Sequence, residues 1–486
     1  MKHLNEYKLY IQRIGLLGIT NILIALSSLI LLPIMTKNFS TGDYGVWVQI
    51  NTVIGLIPNI ATLGLPYTMV RFLSSAKTKK SIQEGFYSIA IMVFVSTFII
   101  STLLFVFSKN VASALFNGNT ELAMLLSIIV FLACLNALLI NFFRTFQQMR
   151  KYSFFLLAQT YLGVFIISYF AIKGFGITMA VLGLLLTHLI IFLIMLTFIV
   201  SGIGFKIPKF KNVKEYLSFG LPTVPSNLSY WVIDSSDRFV IGILLSTTFV
   251  GYYSPGYTLG NVITLIIAPF TLLLPSLLPP YYDNNQMEKV KTFLRYSLKY
   301  FLLIAIPAAF GLSILSKQVL MILTTSEIAL NGYLVTPFIA LSAIIYGVNG
   351  IISNVLVLEK KTGIIGSIWI VTAILNLGLN IIFVPYLGII GAALITLIAY
   401  GIAFVLTLFY SFKSFQFDLD LIFIIKSIIA SSIMSILLAF INPNGILNIV
   451  IISIICFIIY LGLLLLLKGI KREEITVLRK MFLESS

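Results

Sequence analysis

Apolar residues run along this chain in unbroken stretches of about twenty, the number of helical residues that crosses a hydrocarbon layer roughly 30 Å thick. Between them stand short segments rich in Lys, Arg, Gly and Pro. Stretches such as Leu182 to Val200 and Ile446 to Leu467 are apolar on every side, so they match neither the alternation of a strand nor the single stripe of a surface helix. A membrane barrel fits poorly, because its strands alternate apolar and polar residues over segments of about ten. Helices remain, since each satisfies its own backbone hydrogen bonds where no water reaches. The pattern predicts spans 1 to 6 at 14 to 35, 45 to 70, 86 to 107, 121 to 143, 152 to 172 and 176 to 200. Spans 7 to 12 follow at 216 to 245, 251 to 277, 297 to 316, 332 to 357, 362 to 384 and 388 to 411, and a final pair at 421 to 441 and 446 to 467. The first apolar run, Ile14 to Pro33, is too long for a signal-peptide core and no small-residue cleavage site follows it, so it is read as span 1. The predicted fold is all-α: a polytopic membrane protein of about fourteen transmembrane helices.

Basic residues fix an orientation. With the N-terminus cytoplasmic, 27 of the 32 lysines and arginines fall in inner segments, from Lys2, Lys8 and Arg13 to Lys468, Lys471, Arg472, Arg479 and Lys480. The outer loops hold only Lys37, Lys109, Lys173 and Lys317, as the positive-inside rule expects, which places both termini on the cytoplasmic side of the plasma or inner membrane. An internal repeat divides the chain. Ser40-Thr41 with Gly45 precedes or opens span 2, and Ser246-Thr247 with Gly251 stands in the same slot of span 8; Phe175-Gly176-Ile177 and Leu387-Gly388-Ile389 form a second pair of outer turns. The expected organisation is a six-helix bundle over 1–200, a basic cytoplasmic linker over 201–215, a second six-helix bundle over 216–411, and two C-terminal helices with a cytoplasmic tail over 412–486. Two bundles of equal orientation are related by a pseudo-two-fold along the membrane normal, with substrate between them. In the tail, Ile475, Leu478 and Phe482 recur at helical spacing, as in a surface helix.

Composition agrees with this picture. Hydrophobic residues make up 59% of the chain and charged ones 10%, against about 25% charged in soluble domains. The net charge of +16 is explained by topology rather than by nucleic acid, because the basic residues sit in short runs between apolar segments and not on one soluble face. The two cysteines, Cys134 and Cys456, lie inside apolar runs, which gives no support to a disulfide framework or a metal site. No cofactor is expected.

Several segments then bear on identity. Tyr216-Leu217-Ser218-Phe219-Gly220-Leu221-Pro222, followed by Asp237-Arg238 and by Val250-Gly251-Tyr252-Tyr253-Ser254, resembles the second-half signature of polysaccharide flippases. Asp43-Tyr44-Gly45, Leu63-Gly64-Leu65 leading to Arg71, and Pro385-Tyr386-Leu387-Gly388-Ile389 resemble the same family. These are flippases of lipid-linked oligosaccharides in O-antigen, exopolysaccharide and related pathways, within the multidrug/oligosaccharidyl-lipid/polysaccharide exporter superfamily. The resemblance implies two six-helix bundles around a central cavity that alternates between inward- and outward-facing states while a sugar headgroup on a polyprenyl diphosphate crosses. It also implies a glycan polymerase or glycosyltransferases of the pathway as partners, beside membrane lipids.

Span 7 holds the most informative residues. Stopping it before Asp234 leaves too few apolar residues to span, so it runs to Leu245 and carries Asp234, Asp237 and Arg238 inside the membrane, where charges normally face a protein interior or a wet cavity. Asp234 and Arg238 have the spacing that brings a carboxylate and a guanidinium together on one helix face. Arg238 suits bidentate binding of phosphate oxygens, and the carboxylates suit sugar hydroxyls or a coupling cation, a sodium ion or a proton; a structural ion pair is the alternative reading. Arg71 closes span 2 on the inner side, as substrate contact or as topology anchor, and Arg144 holds the same place on span 4. His188 lies near the middle of span 6, as a proton carrier or as a hydrogen-bonded interior residue. Asn21, Asn376 and Asn380 are expected along the cavity, while Asn136, Asn141, Gln159 and Asn349 dot other spans; helix-to-helix hydrogen bonding explains all of them equally well. Pro222, Pro225, Pro58 and Pro66 favour kinks.

The function expected is translocation of a polyprenyl-diphosphate-linked oligosaccharide. A multidrug-extrusion antiporter of small organic compounds is the alternative with the same architecture. Spans 1, 10 and 11 carry no Asp or Glu within their apolar stretches, which leaves span 7 as the clear carboxylate site for a coupling ion. An enzyme acting on lipid-linked sugars needs convergent acids, bases or a metal, and the short outer loops provide none.

Overall fold

The computed structural model describes residues 2–76 and 78–469, all in helices and short connections, with no strand among them. The amphipathic segment expected around Ile475, Leu478 and Phe482 lies outside the described residues. The helices are α1 (Lys2–Asn38), α2 (Thr41–Ala61), α3 (Leu65–Leu73), α4 (Lys79–Val106), α5 (Ser108–Leu115), α6 (Thr120–Thr145), α7 (Met149–Ile172), α8 (Gly176–Ile203), α9 (Val213–Gly220) and α10 (Thr223–Leu244). They continue as α11 (Thr247–Asn261), α12 (Thr264–Asp283), α13 (Met287–Leu323), α14 (Ser326–Gly332), α15 (Val335–Ile352), α16 (Asn354–Leu358), α17 (Thr362–Ser414), α18 (Leu421–Ile441) and α19 (Ile446–Leu466).

Eleven of these are long and apolar enough to cross a membrane, or twelve when α2 and α3 count as one span bent by 52°. The expected fourteen is not reached on that measure, for two physical reasons. Asp234, Asp237 and Arg238 make α10 too charged to count as an apolar span, and spans 11 and 12, two helices that meet at a kink where Gly388 takes φ 61°, are counted together as α17. The other departures are breaks inside predicted spans. Leu63 and Gly64 both take positive φ between α2 and α3, with Pro66 in the first turn of α3. Pro222, which has no N–H to offer and whose ring crowds the preceding turn, separates α9 from α10.

The chain packs as two compact units, one formed by the residues up to Ser254 together with Trp369–Ala392, the other by Pro255–Ile368 together with the chain from Ala393 onward. In the first, α6 is the axis: 72% of its apolar window is buried, against 17% for α1 and α4, which keep their outer faces for lipid. Its core joins Met69 of α3, Phe86 of α4, Phe143 of α6, Phe155 of α7, Met195 of α8 and Tyr216 of α9. In the second unit, Phe301 of α13 fills the space left by Gly347 of α15, where a methyl group would overlap its ring. The C-terminal pair is fastened to α13 by the Tyr460 hydroxyl, which bonds Ser427 at 2.8 Å and donates to the Leu303 carbonyl at 3.0 Å. At one end, Asp420 caps α18 and lies 3.8 Å from the buried Lys299 of α13, while Arg295 reaches Asp418 at 3.2 Å.

The repeat seen in the sequence is a contact in the structure. Ser40 caps α2, accepting from the Asp43 amide at 3.1 Å and donating to its carboxylate at 2.6 Å. One turn on, a Cβ added at Gly45 falls on the carbonyl of Thr247, and a Cβ added at Gly251 falls on the carbonyl of Thr41. Thr41 pairs with Thr247 and Gly45 with Gly251 in the repeat, so the two helix starts cross as pseudo-two-fold mates, each glycine against the other's threonine. Asn117, in the turn before α6, donates to the Thr247 hydroxyl at 3.0 Å and steadies the crossing.

Gly45→Ala or Gly251→Ala therefore forces this crossing apart, at a cost of about 1–3 kcal/mol for overpacking. A Cβ at Gly42 lies 3.5 Å from the Thr248 hydroxyl, close enough for a Gly42→Cys/Thr248→Cys pair to oxidise. The disulfide is expected to form readily with Gly45 present and slowly with Gly45→Ala; equal rates in the two backgrounds would show that the glycines do not set the approach.

Candidate functional site

Helix α10 begins where proline is tolerated: Pro222 sits at its cap and Pro225 within its first turn, where backbone N–H groups have no helical partner in any case. Ser229 donates to the Pro225 carbonyl at 2.8 Å. Two turns further the helix carries its charges. Asp237 is 0% exposed and the Arg238 side chain 13% exposed. The Asp237 carboxylate accepts from the Tyr253 hydroxyl of α11 and, at 2.7 Å, from the Arg238 amide, and its Oδ1 lies 3.6 Å from the guanidinium. The Arg238 guanidinium donates to the Asp234 carbonyl at 2.8 Å, and the Asp234 carboxylate accepts from Ser235 at 2.9 Å. The Arg238 guanidinium thus lies beside the Asp237 carboxylate and reaches Asp234, one turn back, through its carbonyl.

Two other helices complete the surroundings. Gln49 of α2, fully buried, donates to the Arg238 carbonyl at 2.6 Å, and Gly242 makes room for it, since a Cβ there would overlap the amide. Tyr44, also on α2, stands within electrostatic reach of Arg238. From α17, Asn376 accepts a bond from Ser236 of α10 at 3.4 Å, and Asn380 donates to the Asn376 carbonyl at 2.9 Å. Both asparagines are 0% exposed. Gln49 Oε1, Asn376 Nδ2 and Asn380 Oδ1 are buried and find no hydrogen-bond partner among the described residues.

The structure thus gathers Asp234, Asp237, Arg238, Asn376 and Asn380, and it adds Gln49, Tyr253 and Ser236, which sequence reasoning did not single out as site residues. The polar Gln49 inside an otherwise apolar run was a signal in plain view; Tyr253 lay within a quoted motif, but nothing local shows that its hydroxyl reaches a helix 16 residues back. The remaining candidates stand elsewhere in hydrogen-bonding terms. His188 of α8 is buried against α6 and α7, with Asn136 donating to its carbonyl at 2.9 Å and Gln159 at 3.5 Å from its Nδ1. Arg71 is exposed in the last turn of α3, and Asn21 is exposed on α1. No group of three or more His, Cys, Asp or Glu suited to a metal occurs among the described residues.

A broken element frames one end of the site. Gly64 and Gly220 lie against each other's backbone, Thr68 donates to the Tyr216 carbonyl at 3.1 Å, and the Phe72 ring meets Tyr216 and Phe219 at 5.4 and 5.5 Å. The α2–α3 bend and the α9–α10 break are therefore packed on one another.

Comparison with known proteins bears on what this arrangement is for. The family model described as polysaccharide biosynthesis protein matches residues 11–277, and a model described as MatE matches residues 222–382. Two relatives come from Haloferax volcanii. One, described as the probable low-salt glycan biosynthesis flippase Agl15, is 26% identical over 215 residues, 44% of this chain and 45% of the relative. The other, described as the probable flippase AglR, is 26% identical over 168 residues, 34% of each chain. The match thus spans less than half the length of these curated relatives. Among solved structures, a lipid II flippase MurJ in an inward closed conformation superposes with a TM-score of 0.74 over 93% of this chain and 98% of that one, at 19% identity. An inward-facing multidrug resistance MATE family transporter of the MOP superfamily gives 0.67 over 80% and 94%, at 16% identity. At such identities the likeness establishes the fold.

The buried carboxylate is the energetic centre of the cluster. Tyr253→Phe removes a donor from it and is expected to cost about 1–3 kcal/mol. Asp237→Asn removes the buried carboxylate beside the guanidinium, and breaking a buried pair in this way costs about 3–5 kcal/mol. Thermal unfolding of the purified protein and of the double variant tests the coupling: effects that add to within about 0.5 kcal/mol would mean that the hydroxyl and the carboxylate do not work together.

Proposed function

The chain belongs to the polysaccharide biosynthesis protein family, and on that premise we propose that it is a flippase carrying a polyprenyl-diphosphate-linked oligosaccharide across the cytoplasmic membrane by alternating access. The family match over residues 11–277 is the observation that carries this reading, and the charged cluster on α10 gives it a chemistry. The multi-pass chain is a transporter in this reading and not an enzyme, with both termini cytoplasmic. Its moving bodies are the sequence-defined bundles, 1–200 and 216–411, joined by the basic linker 201–215.

Within that scheme, Arg238 binds the diphosphate. Its planar fork of donors matches phosphate oxygens, and its weak hydration suits a dry site. Asp237 positions it and stays inside the protein. Asp234, half-buried one turn away, takes the sugar hydroxyls or the coupling cation, and is preferred for that role to His188, whose partners are Asn136 and Gln159. Gln49, Asn376 and Asn380 each keep one buried amide atom without a partner among the described residues, at about 1–3 kcal/mol apiece, so a state that opens α10 to hydroxyl-rich headgroups recovers those bonds. Arg71 meets the diphosphate on the inner side, and Asn21 lines the cavity beside it. A glycan polymerase or the glycosyltransferases of the pathway supply or consume the substrate.

One observation favours the antiporter as second reading: the MatE model covers 222–382, which includes all of α10 and both asparagines. Reconstitution in liposomes separates the two. Wild type is expected to translocate a polyprenyl-diphosphate oligosaccharide, Arg238→Ala to lose at least about tenfold in rate, and Arg238→Lys to retain a part of it, since an ammonium keeps the charge and not the fork. Efflux of small organic cations with no lipid movement would replace the flippase by the antiporter.

A further inference from the structure

Away from α10, the basic end of the first unit holds two adjoining cavities that no role described above uses. The first, about 660 Å³, lies between the start of α1 and the turn that links α6 to α7. Arg13, Arg150 and Lys151 line it, and among the described side chains no acidic residue does. Arg13 is held in place by a hydrogen bond to Gln147 at 2.7 Å, between residues 134 apart in the chain, so the guanidinium is positioned and not merely nearby. Gln147 reaches it from a left-handed backbone at φ 55°. The second cavity, about 360 Å³, is walled by the aromatic rings Phe142, Phe143, Phe146 and Phe198. Gln148 and Lys151 line both. The Lys151 ammonium stands 4.7 Å over the Phe198 ring, at the seam between the basic compartment and the apolar one.

An occupant matched to both compartments is anionic at one end and hydrocarbon at the other. Three cations with no carboxylate among the described lining residues call for a phosphate-bearing head, and the apolar wall that Phe146 and Phe198 present calls for a chain. We propose that this pair of cavities is a binding site for an anionic phospholipid of the surrounding bilayer, its phosphate held by Arg13, Arg150 and Lys151 and one acyl chain laid against Phe146 and Phe198. A polyprenyl diphosphate shares this chemistry. The phospholipid is favoured because Arg150 and Lys151 are exposed at the membrane's basic edge, where anionic headgroups are abundant and attract juxtamembrane cations. The site stands apart from α10, so its occupancy does not depend on the transport reading. A bound lipid there ties the first turn of α7 to α1, two helices that pack along their length and are linked again where the Tyr161 hydroxyl donates to the Leu23 carbonyl at 3.0 Å.

The experiment uses the full chain, purified in detergent and titrated with phosphatidylglycerol, phosphatidylcholine or undecaprenyl diphosphate, reading lipid retention by native mass spectrometry and melting temperature in parallel. Phosphatidylglycerol is expected to be retained and to raise the melting temperature, with phosphatidylcholine inert. Arg150→Gln/Lys151→Gln replaces two exposed side chains and is expected to melt as wild type does without lipid, while binding phosphatidylglycerol about 25-fold more weakly, roughly fivefold for each charge removed. Phe198→Ser is expected to weaken a long-chain phosphatidylglycerol and to leave a short-chain one unaffected. Equal responses to the two phospholipids, or full binding by the double variant, would overturn the proposal. So would retention of undecaprenyl diphosphate alone, which would make the cavities a stop for the transported lipid.

Discussion

A carboxylate with no exposed surface, placed on a helix that crosses a membrane, has to find every one of its stabilising partners inside the protein. Asp237 does so through the Arg238 amide and guanidinium and the Tyr253 hydroxyl. That requirement reaches far along the chain. Tyr253 belongs to α11, so α11 must turn back on α10 within a few residues of Leu244, and Arg238 is further steadied through its carbonyl by Gln49 of α2. Bringing the starts of α2 and α11 this close needs backbone against backbone, which only glycine permits at 45 and 251. One buried charge thereby accounts for a crossing, a missing side chain at Gly242, and a fully buried glutamine on α2.

The breaks in the helices follow from residues that cannot continue them, and they fall where two elements meet. Leu63 and Gly64 leave right-handed geometry, Pro222 interrupts the next, and the two interruptions pack together through Gly64 and Gly220. A helix broken at a glycine or proline bends without giving up hydrogen bonds along its two halves. The α2–α3 break falls in expected span 2 and the α9–α10 break in expected span 7, and the helical segments on either side keep their own hydrogen bonds.

Much of this was legible beforehand, for definite reasons. The spans could be read because twenty apolar residues on all faces have few other destinies. The charges of α10 were recognised as lying inside the membrane from the length that the span requires. Their partners were not. Gln49 to Arg238 is a separation of 189 residues, and nothing in either segment names the other. Helical spacing put Asp234 within reach of Arg238, and the structure shows the guanidinium on the Asp234 carbonyl with the carboxylate of Asp237 beside it. The break between spans 11 and 12, by contrast, was legible at Gly388, where the structure has a kink at φ 61°. The Thr41/Gly45 and Thr247/Gly251 echoes were visible as a repeat, but only folding turns a repeat into a reciprocal contact.

What the cluster leaves unsatisfied matters as much as what it binds. Asp237 is well partnered, whereas Gln49, Asn376 and Asn380 each keep one buried amide atom without a hydrogen bond among the described residues. In a protein selected only for stability such groups would be replaced by leucine, because each costs about 1–3 kcal/mol. An alternating transporter is under a different constraint: its states must lie within a few kcal/mol of one another, or one of them is never visited. Leaving three polar atoms unpaired next to a well-paired carboxylate raises the energy of this arrangement without loosening its centre. In the flippase reading proposed above, the same amides would meet a hydroxyl-rich headgroup and lower the energy of the state that holds it, so the difference in hydrogen bonding between the two states would move the equilibrium.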